Sequence, residues 1–259
     1  MTVTGERVTT PERGFNPTWQ RHVAAYGLCA PRVPAGRTLD LGCGIGHSYE
    51  LLAPRETVGV DVSCEALAGQ RRETVSADMR ALPFAGAAFE GVIAVHSIEH
   101  VRGGAVALAE AARVLTPGGV AAIVTPNRLT FARPDEIIDP YHFVEYDPRE
   151  LAELCAPSFE HVEIEGIFGS QRYDALLSEQ RAELSALLAK DPLRLRRLVP
   201  RRARQLLYDR RLTRARSRSD PRADAIGPGD FRLSAARVDE CLDVVAFCTG
   251  PRVATISAR

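Results

Sequence analysis

The chain has 259 residues, of which 45% are hydrophobic and 25% are charged, a composition typical of soluble globular proteins. It has no run of about 18 apolar residues and no apolar centre in its polar N-terminus, so the sequence predicts neither a membrane-spanning helix nor a signal peptide. The formal net charge is zero. The six cysteines show no CxxC pair, so we expect a cytoplasmic protein with reduced thiols.

Strands and helices alternate through the first half of the chain. Asn16-Pro17 predicts the start of a helix that runs to about Ala30, within an N-terminal arm and helix at residues 1–36. Strands are predicted at 37–41, 57–60, 74–77, 91–95 and 120–124, and helices at 49–53, 63–72 and 105–115. This alternation implies βαβ units and a parallel sheet that is covered on both faces, within a cofactor-binding core at residues 37–168.

The second half of the chain predicts two more strands around an insertion. A capping box that begins at Asp147 opens a helix that runs to about Cys155. The strands are predicted at 161–167 and 242–248, the latter within a last segment at 241–249. We expect residues 169–240 to form a helical insertion, with one helix ending near Val199 and another beginning at Pro200.

Three glycines follow the first strand within five positions. Gly42-Cys43-Gly44-Ile45-Gly46-His47 supplies two glycines of a dinucleotide-binding turn, but His47 stands where that fingerprint has its third. Asp61 ends the second strand, nineteen residues after Gly42, where a carboxylate can accept both ribose hydroxyls. A tight turn that needs glycine only for its backbone conformation would also explain the glycines. Assigning the turn to a cofactor therefore needs evidence from other segments.

Further evidence comes from other segments of the predicted core. They are Ala77-Asp78-Met79, Phe89-Glu90-Gly91-Val92-Ile93-Ala94, Ser97-Ile98-Glu99-His100-Val101 and Leu115-Thr116-Pro117-Gly118-Gly119. In this order and spacing they resemble class I S-adenosylmethionine-dependent methyltransferases of the large small-molecule group. The resemblance covers about residues 38–168 and returns at 242–248. It implies an α/β Rossmann-like fold with a seven-stranded sheet in the order 3-2-1-4-5-7-6, strand 7 antiparallel, and S-adenosyl-L-methionine as the cofactor.

The resemblance also implies which residues bind the cofactor. They are Asp40, Gly42, Cys43, Gly44, Gly46, Asp61, Val62, Asp78, Met79 and His96. The glycines would let the backbone approach the methionine part and the sugar, and Asp40 would order their turn. Asp61 would accept the ribose hydroxyls, and Asp78 with Met79 would face the adenine edge. His96 would line the methionine end.

Two histidines are candidate bases for an alcohol acceptor, because imidazole titrates near neutrality. His100 follows the fourth strand and His142 follows the fifth, so both lie at the end of the sheet that binds ligands. We expect His142 to take the acceptor's proton, Glu145 to orient it, and His100 to shape the pocket. No metal is predicted, because two histidines and one carboxylate suit hard cations poorly. In addition, His96 stands where some similar methyltransferases that act on quinones have a glutamate and bind a divalent metal.

The acceptor is suggested by a second resemblance. Residues 125–151 are similar to the same stretch in methyltransferases that act on sugars and polysaccharides, and they echo quinone O-methyltransferases. With the N-terminal TGERV and the closing LDVVAF, the chain looks most like actinobacterial glycan O-methyltransferases. We therefore expect methyl transfer to an oxygen of a small molecule or glycan. N- or C-methylation, and a catalytically silent cofactor-binding module that regulates a partner, stay open.

Positive charge is concentrated in the insertion. From Lys190 to Arg222 there are thirteen basic and three acidic residues, a balance of +10. Ala203, Leu206 and Leu207 at helical spacing predict an apolar face that packs on the main domain, with the basic residues either solvated or facing an anionic membrane or a phosphate-bearing acceptor. Tyr208 is the only aromatic residue of the segment, so we expect no nucleic acid bound by base stacking.

Overall fold

One sheet of eight strands forms the centre of the protein, in the order β3-β2-β1-β4-β5-β8-β6-β7. The computed structural model describes residues 16–131, 136–191, 193–216 and 220–252, so the predicted arm before Asn16 lies outside the described residues. The strands are β1 (Thr38–Leu41), β2 (Thr57–Asp61), β3 (Glu73–Ser76), β4 (Phe89–Val95), β5 (Leu115–Pro126), β6 (Phe159–Gly169), β7 (Phe231–Ser234) and β8 (Asp243–Pro251).

The strand order creates a crevice beside β1 and β4. Strands β1 to β5 are parallel, and β8 lies antiparallel between β5 and β6. With β8 as the predicted seventh strand, the order 3-2-1-4-5-7-6 and the antiparallel last strand are confirmed. The chain winds outward from β1 in one direction and from β4 in the other, and open α/β sheets bind ligands at such a switch point.

Helices cover both faces of the sheet. They are α1 (Asn16–Cys29), α2 (Ser48–Leu51), α3 (Cys64–Leu67), α4 (Gly104–Val114), α5 (Arg128–Phe131), α6 (Pro148–Cys155), α7 (Gln171–Leu188), α8 (Arg201–Arg216) and α9 (Pro221–Asp224). Successive residues of β4 alternate between two buried clusters: Val92 packs with the cluster that contains α4, and Ile93 with the cluster that contains α1. This alternation places one core on each face, as the apolar strands predict.

The insertion is not wholly helical as predicted, because its last part forms the edge strand β7. This strand has four residues and pairs antiparallel with the end of β6. A segment this short contains too few residues for a period of two to stand out from a loop, so its pairing with β6 decides its conformation.

Two predicted helix ends were wrong. Ser63 caps α3 as expected, but the helix ends at Leu67, before Gly69 with φ +78°, instead of continuing to Arg72. The helix predicted to end near Val199 stops at Leu188, and a separate 3-10 turn (Leu195–Leu198) follows. That turn begins where the Asp191 carboxylate accepts hydrogen bonds from the backbone N–H groups of Leu195 and Arg196.

Helix α8 begins after Pro200 as predicted, but Leu206 and Leu207 do not pack on the main domain. Leu206 and Leu207 are more than half exposed. Tyr208 attaches the helix instead, because its hydroxyl donates to Asp139 Oδ2 over 2.8 Å. Among the described residues, no helix combines the length and the apolar composition needed to cross a bilayer.

Candidate active site

A cavity of about 380 Å³ opens at the carboxyl ends of β1, β2 and β4. The predicted residues that line it are Gly42, Cys43, Gly44, Asp61, Val62, Asp78, Met79, His96 and His100. Asp40, Gly46 and His142 are not among its lining residues. The structure therefore brings nine of the twelve predicted site residues to one cavity.

The glycine turn after β1 has a backbone that side chains would disturb. Gly42, Gly44 and Gly46 have φ angles of +80°, +52° and +79°, in the left-handed region that favours glycine. A Cβ on Gly42 would also collide with Ser97, whereas a Cβ on Gly44 would meet no atom within 4 Å. The open space beside Gly44 is where the backbone can approach a ligand in the cavity.

Asp40 is completely buried behind this turn. It accepts hydrogen bonds from the Tyr26 hydroxyl (2.9 Å), from Arg72 Nη2 (2.7 Å) and from the Ser48 hydroxyl. Burial and the Asp40 carboxylate raise the pKa of Tyr26 well above its ordinary value, so Tyr26 stays a neutral donor. Asp40 thus joins α1, the first residue of α2 and the chain before β3, and it acts on the turn through Ser48.

Two other carboxylates lie at the cavity itself. Asp61 accepts the Gly44 N–H (3.0 Å) on one oxygen and the Ser63 N–H (2.8 Å) on the other. A carboxylate oxygen can accept more than one hydrogen bond, so a carboxylate in this position suits a ribose hydroxyl. Asp78 pairs with Arg80 (Nη2 to Oδ2, 2.6 Å), and these hydrogen bonds lower its pKa, so it is ionised and can accept further donors.

Three histidines line the other end of the cavity, where the resemblance places the methionine part. The ring centroids of His22 and His96 are 4.3 Å apart, and the His47 ring lies 4.9 Å from that of Trp19. Burial lowers the pKa values of His22 and His47, so both rings are neutral near pH 7. In the sequence, His47 stands out only as a break in the dinucleotide fingerprint, and no pattern marks His22 on α1.

The His47 ring gives an independent test of whether S-adenosylmethionine fits. Both of its nitrogens are buried, and neither has a hydrogen-bond partner among the residues that the structure describes. Buried polar atoms are rarely left unpaired, and a neutral imidazole offers one N–H donor and one acceptor. The carboxylate and ammonium groups of a methionine part would satisfy both, so the residues present fit this cofactor.

His96 lies against a buried carboxylate that no sequence pattern indicates. Its φ of +49° is unusual for a residue with a side chain, and its Nε2 lies 3.0 Å from Asp243 Oδ1. Asp243, the first residue of β8, also accepts from Arg21 Nε of α1 over 2.7 Å. Burial opposes the charge on Asp243, but Arg21 and His96 outweigh it and hold the pKa of this carboxyl well below its usual range.

His100 is at the cavity wall, and its tautomer follows from one contact. His100 Nδ1 lies 3.2 Å from the backbone oxygen of Tyr141. Because a carbonyl can only accept, Nδ1 carries the hydrogen in the neutral ring, and Nε2 keeps its lone pair. His100 therefore presents a nitrogen that can take a proton.

His142 lies behind His100, with its ring centroid 5.0 Å away and its side chain only 6% exposed. His142 Nδ1 is 2.9 Å from Glu145 Oε1, so Glu145 is in the position to orient this ring. Burial disfavours charge on His142, but the hydrogen bond to Glu145 and the charges of Asp139, Glu99 and Glu145 outweigh it and raise the pKa of His142.

Glu99, His100 and His142 also form the kind of group that can hold a metal. One ligand atom from each lies within 4.8 Å of the others, and Glu99 is buried, accepting a hydrogen bond from the Thr125 hydroxyl. Two imidazoles and one carboxylate suit a transition metal better than magnesium or calcium. That the protein uses no metal stays a prediction.

Comparisons with known sequences identify the relatives of this chain. A family model described as a methyltransferase domain matches residues 39–123. A probable S-adenosylmethionine-dependent methyltransferase of Mycolicibacterium smegmatis is 30% identical over an alignment of 265 positions that covers 97% of this chain and 96% of the relative. A probable S-adenosylmethionine-dependent methyltransferase of Mycobacterium tuberculosis is 35% identical over 182 residues, so the match spans 66% of that relative's length.

Solved structures share the fold at low identity. A Thermotoga maritima S-adenosylmethionine-dependent methyltransferase, described as a possible histamine N-methyltransferase, has a TM-score of 0.62 at 16% identity and covers 92% of this chain and 93% of its own. The [4+2]-cyclase SpnF has a TM-score of 0.56 at 17% identity and covers 97% of this chain and 89% of its own. These likenesses show the fold alone. The M. smegmatis relative aligns over 97% of this chain, and the methyltransferase family model matches the strands and turns that form the cavity. The chain therefore belongs to the S-adenosylmethionine-dependent methyltransferases, and S-adenosyl-L-methionine is its cofactor.

Proposed function

We propose that the protein transfers a methyl group to a hydroxyl oxygen of a small molecule or sugar. The observation that supports an alcohol acceptor is His100, whose Nδ1 is held by the Tyr141 carbonyl and which lines the cofactor cavity. An alcohol is a poor nucleophile until its proton is removed, whereas an amine that arrives unprotonated needs no base. Bound S-adenosylmethionine supplies an electrophilic methyl group on a positively charged sulfur.

The chain's main contribution is to position the acceptor beside that methyl group and to exclude water. Orientation of this kind contributes about 7–11 kcal/mol to catalysis, whereas a general base adds about 10²–10⁴ in rate. Phe143 and Val101 line the cavity together with His100 and supply an apolar wall there. The loss of the base should therefore leave measurable activity.

The geometry favours an exchange of the roles that the sequence suggests for the two histidines. His100 contacts the cavity, and His142 is buried behind it on the side of Glu145. The Glu99 carboxylate lies within 4.8 Å of a nitrogen of each ring, so it favours the imidazolium formed when His100 takes a proton. In this proposal His100 is the catalytic residue, and His142 is a positioning residue that Glu145 orients.

The same three residues support one other mechanism. A transition metal held by Glu99, His100 and His142 could bind the acceptor oxygen and lower its pKa in place of a base. The two mechanisms differ in a simple observable, because only the metal mechanism predicts a stoichiometric metal in the purified protein and loss of turnover on chelation.

The acceptor can be identified with labelled cofactor. We expect that incubation with methyl-labelled S-adenosylmethionine and a fractionated extract of the host transfers label to a hydroxyl-bearing fraction, recovered as a methyl ether. Asp61→Ala serves as the control for label that moves without cofactor bound in this cavity. Label on nitrogen or carbon would contradict an oxygen acceptor, and no transfer with any fraction would favour a catalytically silent module.

Cofactor recognition can be tested without an acceptor. We expect S-adenosylmethionine and its demethylated product, but not NAD, to raise the melting temperature, since a ligand at 100 times its Kd adds about 2.7 kcal/mol of stability. Asp61→Ala removes a charged acceptor, and such hydrogen bonds contribute about 1.5–3 kcal/mol, so affinity should fall roughly 10- to 100-fold.

The control for this experiment is Glu65→Ala, which removes an exposed carboxylate from the neighbouring helix α3. Glu65→Ala should keep the full thermal shift. A clear shift with NAD, or equal affinity in Asp61→Ala and the unmodified protein, would argue against the assignment of Asp61 to the ribose.

A further inference from the structure

Exposed leucines are concentrated in one segment of the chain. Between residues 193 and 207 five leucines are 56% to 81% exposed: Leu193, Leu195, Leu198, Leu206 and Leu207. They make up five of the nine large apolar side chains that are exposed in the described part of the chain. Single exposed apolar residues are ordinary, but a concentration of this kind indicates a surface that binds something.

Helix α8 has an inner face that fixes it to the protein. Arg201 donates to the backbone oxygens of Pro140 (2.7 Å) and Tyr141 (3.0 Å), and its guanidinium lies 3.7 Å from the Phe143 ring centroid. The Tyr141 hydroxyl donates to Asp209 over 2.7 Å. Because Phe143 lines the cavity, these contacts attach α8 beside the cavity.

The outer face of α8 combines arginines and leucines. Arg202, Leu206, Leu207 and Arg210 are exposed, and positions 202, 206 and 210 follow one another at the four-residue spacing that places side chains on one side of a helix. Long arginine side chains can lie along an apolar surface while their charged ends reach polar groups. This arrangement suits the boundary between lipid headgroups and acyl chains.

The charge of the segment points to a negatively charged partner. The thirteen basic residues between Lys190 and Arg222 outnumber the three acidic ones, and each acid already has a partner within the fold. Asp191 accepts from Arg196, Asp209 accepts from Tyr141, and Asp220 pairs with Arg222. Two carboxylates outside the segment add to these pairs: Glu136 lies against Arg194 and Arg196, and Glu179 pairs with Arg222. Thirteen basic residues less these five carboxylates leave a balance of +8, so the segment keeps an excess of positive charge.

We propose that the outer face of α8, with the leucines of the turn before it, binds an anionic lipid bilayer. Juxtaposed basic and apolar side chains distinguish a bilayer from nucleic acid, which would bind the arginines but leave the leucines in water. A bilayer provides a partner for both kinds of side chain, because its headgroup phosphates accept hydrogen bonds from the arginines and its outer acyl region covers the leucines. The protein would bind at the membrane surface with the wall of its cavity at Phe143 close to the lipid.

Sedimentation of the full chain with vesicles tests this surface. We expect binding to vesicles of phosphatidylcholine with phosphatidylglycerol, weaker at high salt, and little binding to phosphatidylcholine alone. Each basic residue near an anionic surface changes the partition constant about fivefold, so the pair Arg202→Gln and Arg210→Gln should weaken binding about 25-fold. The pair Leu206→Gln and Leu207→Gln should weaken it about tenfold or more at either salt concentration.

The matched control changes one exposed arginine and one exposed valine elsewhere, Arg71→Gln with Val106→Gln, and should bind vesicles as the unmodified protein does. All variants should keep the melting temperature and the shift caused by S-adenosylmethionine, which shows that they are folded. No binding to anionic vesicles, or equal loss in the control pair, would overturn the proposal. Binding of heparin without binding of anionic vesicles would also overturn it and would favour an acidic macromolecule.

Discussion

His100→Ala is expected to lower turnover about 10²–10⁴-fold while the affinity for S-adenosylmethionine barely changes. The reason is that His100 is at the cavity wall with its Nδ1 fixed by the Tyr141 carbonyl, so the substitution removes a base that is already oriented. The measurement is single-turnover methyl transfer to the acceptor, with the cofactor Kd measured separately by calorimetry.

His142→Gln is the matched control, because it changes the buried neighbour and leaves the cavity wall intact. We expect a smaller loss of turnover than in His100→Ala, together with a change in stability that depends on pH. The pKa of His142 is raised above its ordinary value of 6.5 in the folded protein. Its protonation therefore contributes stability that is fully present below pH 6.5 and is lost as the pH rises through the folded value.

The free energy of unfolding of the unmodified protein should accordingly exceed that of His142→Gln most clearly in mildly acidic solution, and the difference should shrink at higher pH. Near-normal turnover in His100→Ala with a large loss in His142→Gln would restore the roles suggested by the sequence. If neither substitution changes turnover by more than a few-fold, the acceptor needs no base and an amine becomes the better candidate. Stoichiometric metal in the protein would replace the base with a metal mechanism.

Asp40→Leu is expected to destabilise the protein by about 3–5 kcal/mol, because it leaves the buried Arg72 guanidinium without its counter-charge. The side chains of both residues are at most 1% exposed, and the 2.7 Å contact between them lies behind the glycine turn. The measurement is the free energy of unfolding from urea denaturation. Arg71→Leu, at the adjacent exposed position, should change it by less than about 0.5 kcal/mol.

The double substitution of Asp40 and Arg72 to leucine separates the ion pair from general damage. A buried pair that is replaced by apolar side chains as a unit often costs little, so the double variant should be more stable than the Asp40→Leu single variant. A double variant whose cost equals the sum of the two single costs would show that the two charges do not depend on each other. A loss below about 1 kcal/mol in Asp40→Leu would contradict the role of Asp40 beneath the turn.

The local features of the chain were predictable because they depend on residues close in sequence. Alternating apolar strands and helices predict a parallel sheet, and the parallel strands bring the segments after β1, β2, β3 and β4 to one edge. That is why Asp61, Asp78 and His96, each at or just after the end of a strand, could be named together from their positions alone. The structure places all three in the wall of one cavity.

The contacts that organise the site join residues far apart in the chain, and periodicity contains no information about them. Arg72 reaches Asp40 across 32 positions, and Arg21 reaches Asp243 across 222. His22 and His47 come together at the cavity only because α1 packs over the turn after β1. A sequence pattern can indicate that a side chain is buried, but not which distant group it meets.

The sequence by itself determined the parallel sheet, the glycine turn and the carboxylates that follow its strands, because these depend on backbone conformations that neighbouring residues specify. Only the tertiary structure decided that His100 rather than His142 lines the cavity, since both follow strands and their exposure depends on how the loop at 139–145 folds against the turn after β4, where Phe143 and Val144 donate to the Glu99 backbone oxygen. It also decided that Leu206 and Leu207 face outward. An amphipathic spacing shows that a helix has an apolar stripe, but only the packing of neighbouring elements determines whether that stripe is covered.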